Sequence, residues 1–264
     1  MTCRKNNRKY GSAWIVPAVL LLAGCRASDR HVELPSPQAQ TRPAPQAARR
    51  PALPPADTEP SRLTAGKRVL VDAGHGGRDP GAWQATLSKL PEKTINLGIA
   101  RGLAAALQRQ GAAVRLTRSE DEFIDLQDRA DLARQQQVDL MISVHANSAP
   151  GSNASGAEVY ICRTASEASE RAARQIESAF KRAGLACRGI RKANFVVLAR
   201  HPRPAVLVEC GFLTHPDDAR RLNDPAFRAR IAAAIADGVT RYLLREPIPT
   251  SPTDPLVADR QLVP

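Results

Sequence analysis

Val69-Leu70-Val71-Asp72-Ala73-Gly74-His75, Val138-Asp139-Leu140-Met141-Ile142-Ser143-Val144-His145 and Ala205-Val206-Leu207-Val208-Glu209 are three apolar runs, each ending on a polar side chain. Short runs rich in Val, Ile and Leu, bounded by Gly, Pro or Asn, suit strands covered on both faces. Open α/β sheets place their active sites at the carboxyl ends of such strands. Two imidazoles and a carboxylate arriving at one sheet edge form a metal-site pattern.

Around these runs, strand and helix signals alternate. Pro91 and Glu92 open a helix that runs to about Gln110 and closes at Gly111. Its apolar positions Ile95, Ile99, Leu103 and Leu107 recur at near-helical spacing and predict a core-facing stripe. Further strands are predicted at Ala113–Thr117, Gly156–Cys162 and Phe195–Leu198, and helices at Leu126–Gln136, Ser166–Ala183 and Asp224–Leu244. Strands joined by helical crossovers predict an α/β fold, a mostly parallel sheet with helices on both faces.

The ends of the chain read differently. Arg4, Lys5, Arg8 and Lys9 precede an apolar stretch, Ala13 to Gly24, of twelve residues. That is too short to span a bilayer, which needs about 20, and it fits the apolar region of an export signal. The stretch ends Leu22-Ala23-Gly24-Cys25 and resembles a bacterial lipoprotein box, which implies a signal at 1–24 and lipidation of Cys25. The other reading is an ordinary export signal with an incidental cysteine. By the same resemblance, Arg26 after the cysteine implies the outer membrane of a Gram-negative bacterium, with the protein held on the periplasmic side. Eight prolines lie between Leu34 and Pro60, with almost no large apolar residue. The expectation is a disordered linker at 25–61 whose Pro-rich part reaches on the order of 80 Å as polyproline II. A catalytic domain at 62–245 and a Pro-rich tail at 246–264 complete the layout.

The formal charge is +12; loss of residues 1–24, which carry four positive charges and no acid, leaves +8. A basic balance favours anionic surfaces. No nucleic acid is expected as a partner, because no recognition motif is present and aromatics make up only 4% for stacking. Beyond Cys3 and Cys25, three cysteines remain: Cys162, Cys187 and Cys210. Cys162 and Cys187 are candidates for a bridge in an oxidising compartment, and Cys210 reads as a small core residue.

Catalytic zinc takes three protein ligands and keeps one position for water. His75 sits among small neighbours in Gly74-His75-Gly76-Gly77, and His145 closes an apolar run. Glu92 shares a helix face with Ile95 and Ile99, so its carboxylate points at the sheet. From spacing alone it reads equally as a metal ligand or as a helix N-terminal acid favoured by the macrodipole. Glu209 reads as a general base beside a metal or as the partner of a buried salt bridge, with Arg191 one candidate. His31 falls in the linker, and His201 and His215, each before a proline, are expected on surface loops.

Four blocks then carry a family resemblance: Asp72-Ala73-Gly74-His75-Gly76-Gly77-Arg78-Asp79-Pro80-Gly81-Ala82, Glu92-Lys93-Thr94-Ile95-Asn96-Leu97, Ser143-Val144-His145-Ala146-Asn147 and Val208-Glu209-Cys210-Gly211-Phe212-Leu213. In this order they resemble the signature of zinc-dependent N-acetylmuramoyl-L-alanine amidases of the amidase_3 type, over residues 68–244. The resemblance implies a twisted, mixed sheet with flanking helices. It implies one Zn2+ bound by His75, Glu92 and His145, with Glu209 catalytic. It also implies peptidoglycan as substrate, cut between the lactyl group of muramic acid and L-alanine, in wall remodelling, daughter-cell separation or recycling. His215 stands where relatives often have Asn. Thr164 to Lys192 has room for one ordinary helix and a connection, so no inhibitory helix over the zinc is expected, and no activator protein is identified. The rivals are a zinc peptidase cutting within the stem peptide and a non-catalytic wall-binding lipoprotein.

Overall fold

A computed structural model describes residues 63–83 and 87–245. The signal, Cys25, the linker and the tail expected at 1–24, 25–61 and 246–264 lie outside the described residues.

Six strands form one sheet: β1 (Arg68–Ala73), β2 (Ala113–Leu116), β3 (Leu140–Asn147), β4 (Ala157–Ile161), β5 (Cys187–Lys192) and β6 (Ala205–Phe212). Their order across the sheet is β2-β1-β3-β6-β4-β5. Every pairing is parallel except β4 with β6. The sheet is therefore mixed, and the one reversal brings the start of β4 beside the carboxyl end of β6. The helices are α1 (Glu92–Arg109), α2 (Leu126–Gln135), α3 (Glu167–Arg182), α4 (Val196–Ala199), α5 (Pro216–Asn223) and α6 (Pro225–Leu243).

Side chains alternate between the faces of a strand, and the two faces are covered unequally. Val69, Val71, Val144, Val206, Val208 and Val159 point into the larger core with Ile95, Ile99 and Leu103 of α1, Ile176 and Phe180 of α3, and Ile231 and Ile235 of α6. Leu70, Met141 and Leu207 point the other way, against Ala133 of α2 and Val197 and Leu198 of α4. That second cover is short: α2 has ten residues and α4 four. Asp72, Ser143, His145, Glu158 and Glu209 alternate onto this face. The apolar residues anchor the sheet on one side and leave polar ones toward the carboxyl edge of the other.

Local signals set the helix boundaries. α1 starts after Pro91, which is extended at φ −66° and ψ 156°, and Gly111 takes φ 95°, a left-handed conformation natural to glycine. Asp125, Ser166 and Asp224 accept hydrogen bonds from the first turns of α2, α3 and α6.

Several expectations are corrected. Phe195–Leu198 is not a strand: the run of four apolar residues enters α4, where Val197 and Leu198 pack against α2. Runs this short do not separate helix from strand. β5 and α5 lie where the sequence showed neither. His201 is not on the surface; it is 9% exposed, and its Nε2 lies 2.9 Å from the carbonyl oxygen of Val197. Cys162 and Cys187 are free thiols. Cys187 pairs in register with Ala157 of the parallel β4, so Cys162 lies about 17 Å further along, well beyond the roughly 7 Å that a bridge tolerates. Cys210 is a core residue, as expected.

Candidate metal centre

His75 follows β1 by two residues, in a loop that turns sharply. It adopts φ 59°, an unusual conformation for a residue with a Cβ, which surrounding contacts must hold. Two buried arginines do so. Arg118 donates from Nε to the carbonyl of Ala73 at 2.9 Å and from Nη2 to that of Gly74 at 2.9 Å. Arg129 donates from Nη1 to Ala73 at 2.7 Å and from Nη2 to His75 at 2.8 Å. The carbonyls of three successive residues, the last of β1 and the first two of the loop, thus end on fixed guanidinium donors.

Arg129 also pairs with Asp72 at 2.7 Å, with side chains 2% and 0% exposed. Burial opposes the charge on Asp72. Arg129, with the hydroxyls of Ser143 at 2.6 Å and Thr117 at 2.8 Å, overcomes it and holds the carboxyl below its usual range. Sequence reading missed Arg118 and Arg129, because a guanidinium reads as a surface group until its acceptors are known.

The predicted ligands converge. Glu92 Oε1 lies 3.1 Å from His75 Nε2 and 3.0 Å from His145 Nδ1, and one donor atom from each residue falls within 4.8 Å of the others. Tetrahedral zinc with bonds near 2.0–2.1 Å needs its ligand atoms about 3.3 Å apart, and the two spacings to Glu92 Oε1 lie near that value. Two glycines shape its walls. A Cβ on Gly74 would stand 2.2 Å from the His145 ring, and one on Gly81 would stand 2.5 Å from Glu92 Oε2.

Neighbouring groups orient the donors. His75 Nδ1 lies 2.7 Å from Asp79 Oδ2. Glu92 accepts from the backbone of Ala82 at 2.7 Å and Ala146 at 3.1 Å, and from Asn96 Nδ2 at 3.1 Å. Burial disfavours imidazolium at His75, yet Glu92 and Asp79 raise its pKa to about 9. Burial likewise opposes the charge on Glu92, and the two histidines depress its pKa strongly nonetheless.

Glu209 is the in-register neighbour of His145 across β3 and β6. Its Oε2 is buried without a hydrogen-bond partner, and burial, the largest influence, pushes its pKa to about 7. The salt-bridge alternative fails: Arg191 faces Glu158, 3.5 Å away. Glu158, also missed in the sequence, is buried and stands opposite Glu209 across β4 and β6. His215 caps α5, its Nδ1 accepting from Asp218 at 3.4 Å. The stretch from Thr164 to Lys192 is occupied by α3 and β5.

Comparison with known proteins places the fold and sequence in one family. The profile of the Amidase_3 family, described as N-acetylmuramoyl-L-alanine amidase, matches residues 69–241. The probable cell wall amidase LytH of Staphylococcus epidermidis is 38% identical over 190 residues, covering 71% of this chain and 62% of its own length. The N-acetylmuramoyl-L-alanine amidase AmiA of Escherichia coli is 36% identical over 228 residues, covering 69% of this chain and 78% of its own length. An N-acetylmuramoyl-L-alanine amidase from Clostridium difficile 630 superposes with a TM-score of 0.66 at 35% identity, over 70% of this chain and 100% of its own.

Proposed function

The chain belongs to the Amidase_3 family of N-acetylmuramoyl-L-alanine amidases, and from that premise we propose that it is a zinc-dependent hydrolase of peptidoglycan. The bond cut is the amide between the lactyl group of N-acetylmuramic acid and L-alanine of the stem peptide. One observation carries the reading: three side chains able to ligate a metal converge, and Glu209, the in-register neighbour of one of them, has a buried Oε2 without a hydrogen-bond partner.

His75, Glu92 and His145 would hold the zinc. Bound there, the ion supplies Lewis acidity, which lowers the pKa of water toward about 7 and polarises a carbonyl. Asp79 keeps the His75 ring turned so that Nε2 faces the centre. Glu209 takes a proton from the attacking water at its carboxylate and returns it to the departing alanine nitrogen. A group with pKa about 7 suits both directions near neutral pH. The short cover over this sheet face supports an open site without a built-in blocking segment.

For the remainder of the chain, we propose export, lipidation at Cys25 and attachment by the Pro-rich segment to the outer membrane. The lipoprotein-like box and the composition of 25–61 support that placement.

The test is mass spectrometry of peptidoglycan digested by the purified protein, with and without zinc. Free stem peptides that begin at L-alanine, lost on chelation, are expected. Cleavage inside the stem would make the protein a peptidase, and absence of cleavage with zinc bound would leave a wall-binding role.

A further inference from the structure

Beside the metal centre, the sheet builds a second charged feature. Cys187 pairs with Ala157 and Ile190 with Val159, so two residues of β5, Arg188 and Gly189, oppose Glu158 alone. Gly189 takes φ 100° at this bulge. In an unbroken strand, residues 188 and 191 would face opposite ways. The extra residue restores both Cys187 and Ile190 to the larger core and turns both Arg188 and Arg191 to the face that bears Glu209.

There the two guanidiniums share one carboxylate. Glu158 Oε1 lies 2.9 Å from Arg188 Nε and 3.5 Å from Arg191 Nε. Its Oε2 accepts from Tyr160 at 2.9 Å and Asn147 at 3.4 Å. The Glu158 side chain is 7% exposed, whereas those of Arg188 and Arg191 are 40% and 48% exposed. Glu158 is thus the one carboxylate, among the described residues, in direct contact with both guanidiniums. Among the described residues, the terminal nitrogens of both arginines have no hydrogen-bond partner. Paired N–H groups in a fixed fork match a carboxylate.

Position supplies the rest. β5 is two strands from β6, which places Arg188 about 10 Å from Glu209 along the sheet. An extended peptide covers that in about three residues. On the sugar side of the scissile bond, the lactyl carboxyl is consumed in the amide itself, so a free carboxylate within this reach belongs to the peptide.

Resting on the amidase reading, we propose that Arg188 and Arg191 form an anion subsite that binds a carboxylate of the stem peptide two to three residues beyond the scissile amide.

The test uses the full-length, zinc-loaded protein and two muropeptides that differ only in whether that carboxylate is free or converted to its carboxamide. Wild type should show a KM about tenfold or more lower for the free acid, and the preference should shrink as salt rises. The double variant R188Q/R191Q should treat the two substrates within about twofold of each other. Equal KM values for wild type, a preference that survives the double substitution, or equal losses on both substrates would each overturn the subsite. A product other than the peptide beginning at alanine would instead overturn the amidase reading.

Discussion

Asp79 Oδ2 stands 2.7 Å from Nδ1 of His75, on the ring edge opposite the nitrogen that faces Glu92. The carboxylate holds the Nδ1 edge of the ring and so keeps Nε2 turned toward Glu92. Asp79→Asn and Asp79→Ala should weaken zinc affinity by about 10–100-fold, read by competition with a chromogenic chelator. Unchanged affinity in both would mean that the loop alone orients the ring.

Removing charge from Glu209 separates binding from chemistry. Glu209→Gln should keep its zinc and lose about 10²–10⁴ of the turnover rate. His75→Ala should lose both. Metal content by elemental analysis, beside rates on purified muropeptides, makes the distinction. If Glu209→Gln retains more than about a tenth of the rate, its assigned role falls.

Gly81 has φ 65°, and an added Cβ would collide with Glu92 Oε2 at 2.5 Å. Gly81→Ala should therefore displace the carboxylate and cut zinc occupancy and activity together. A variant that bound zinc normally would show that the loop can move aside.

The Asp72–Arg129 pair should dominate stability beneath the site. Arg129→Met leaves a buried carboxylate without its partner, a change that costs about 3–5 kcal/mol. For a domain of about 150–250 residues that lowers Tm by about 6–20 °C. The pair also sets an acid limit. Asp72 is held below its usual range in the folded chain, so its stabilisation is complete above the unfolded value near 3.9. It is lost as pH falls further through the folded value. Thermal unfolding from pH 5 to pH 2 should show wild type losing more stability than Asp72→Asn; parallel curves would remove Asp72 as the cause.

The three side chains that converge were legible as candidates because each lies where a local pattern stops: His75 and His145 after apolar runs, Glu92 at a helix start on its apolar stripe. β5 was not, because Cys187 and Ile190 are three apart and the bulge at Gly189 breaks the period of two that marks a strand. Phe195–Leu198 misled in the opposite sense, since β-branched residues favour strands until a neighbouring face recruits them into a helical turn. Glu158 sits within a run otherwise apolar, a signal that was present, but nothing local said which charge would meet it.

Periodicity and the chemistry of run-end residues pointed by themselves to an α/β sheet carrying two imidazoles and a carboxylate to one edge, since both depend on a few consecutive side chains. Folding in three dimensions decided which groups share a space. The reversed direction of β4 sets Glu158 opposite Glu209, and Arg118 and Arg129 become buried posts because carbonyls about 45 and 55 residues away supply their acceptors. Such pairings depend on strand order and direction, which no short stretch of chain encodes.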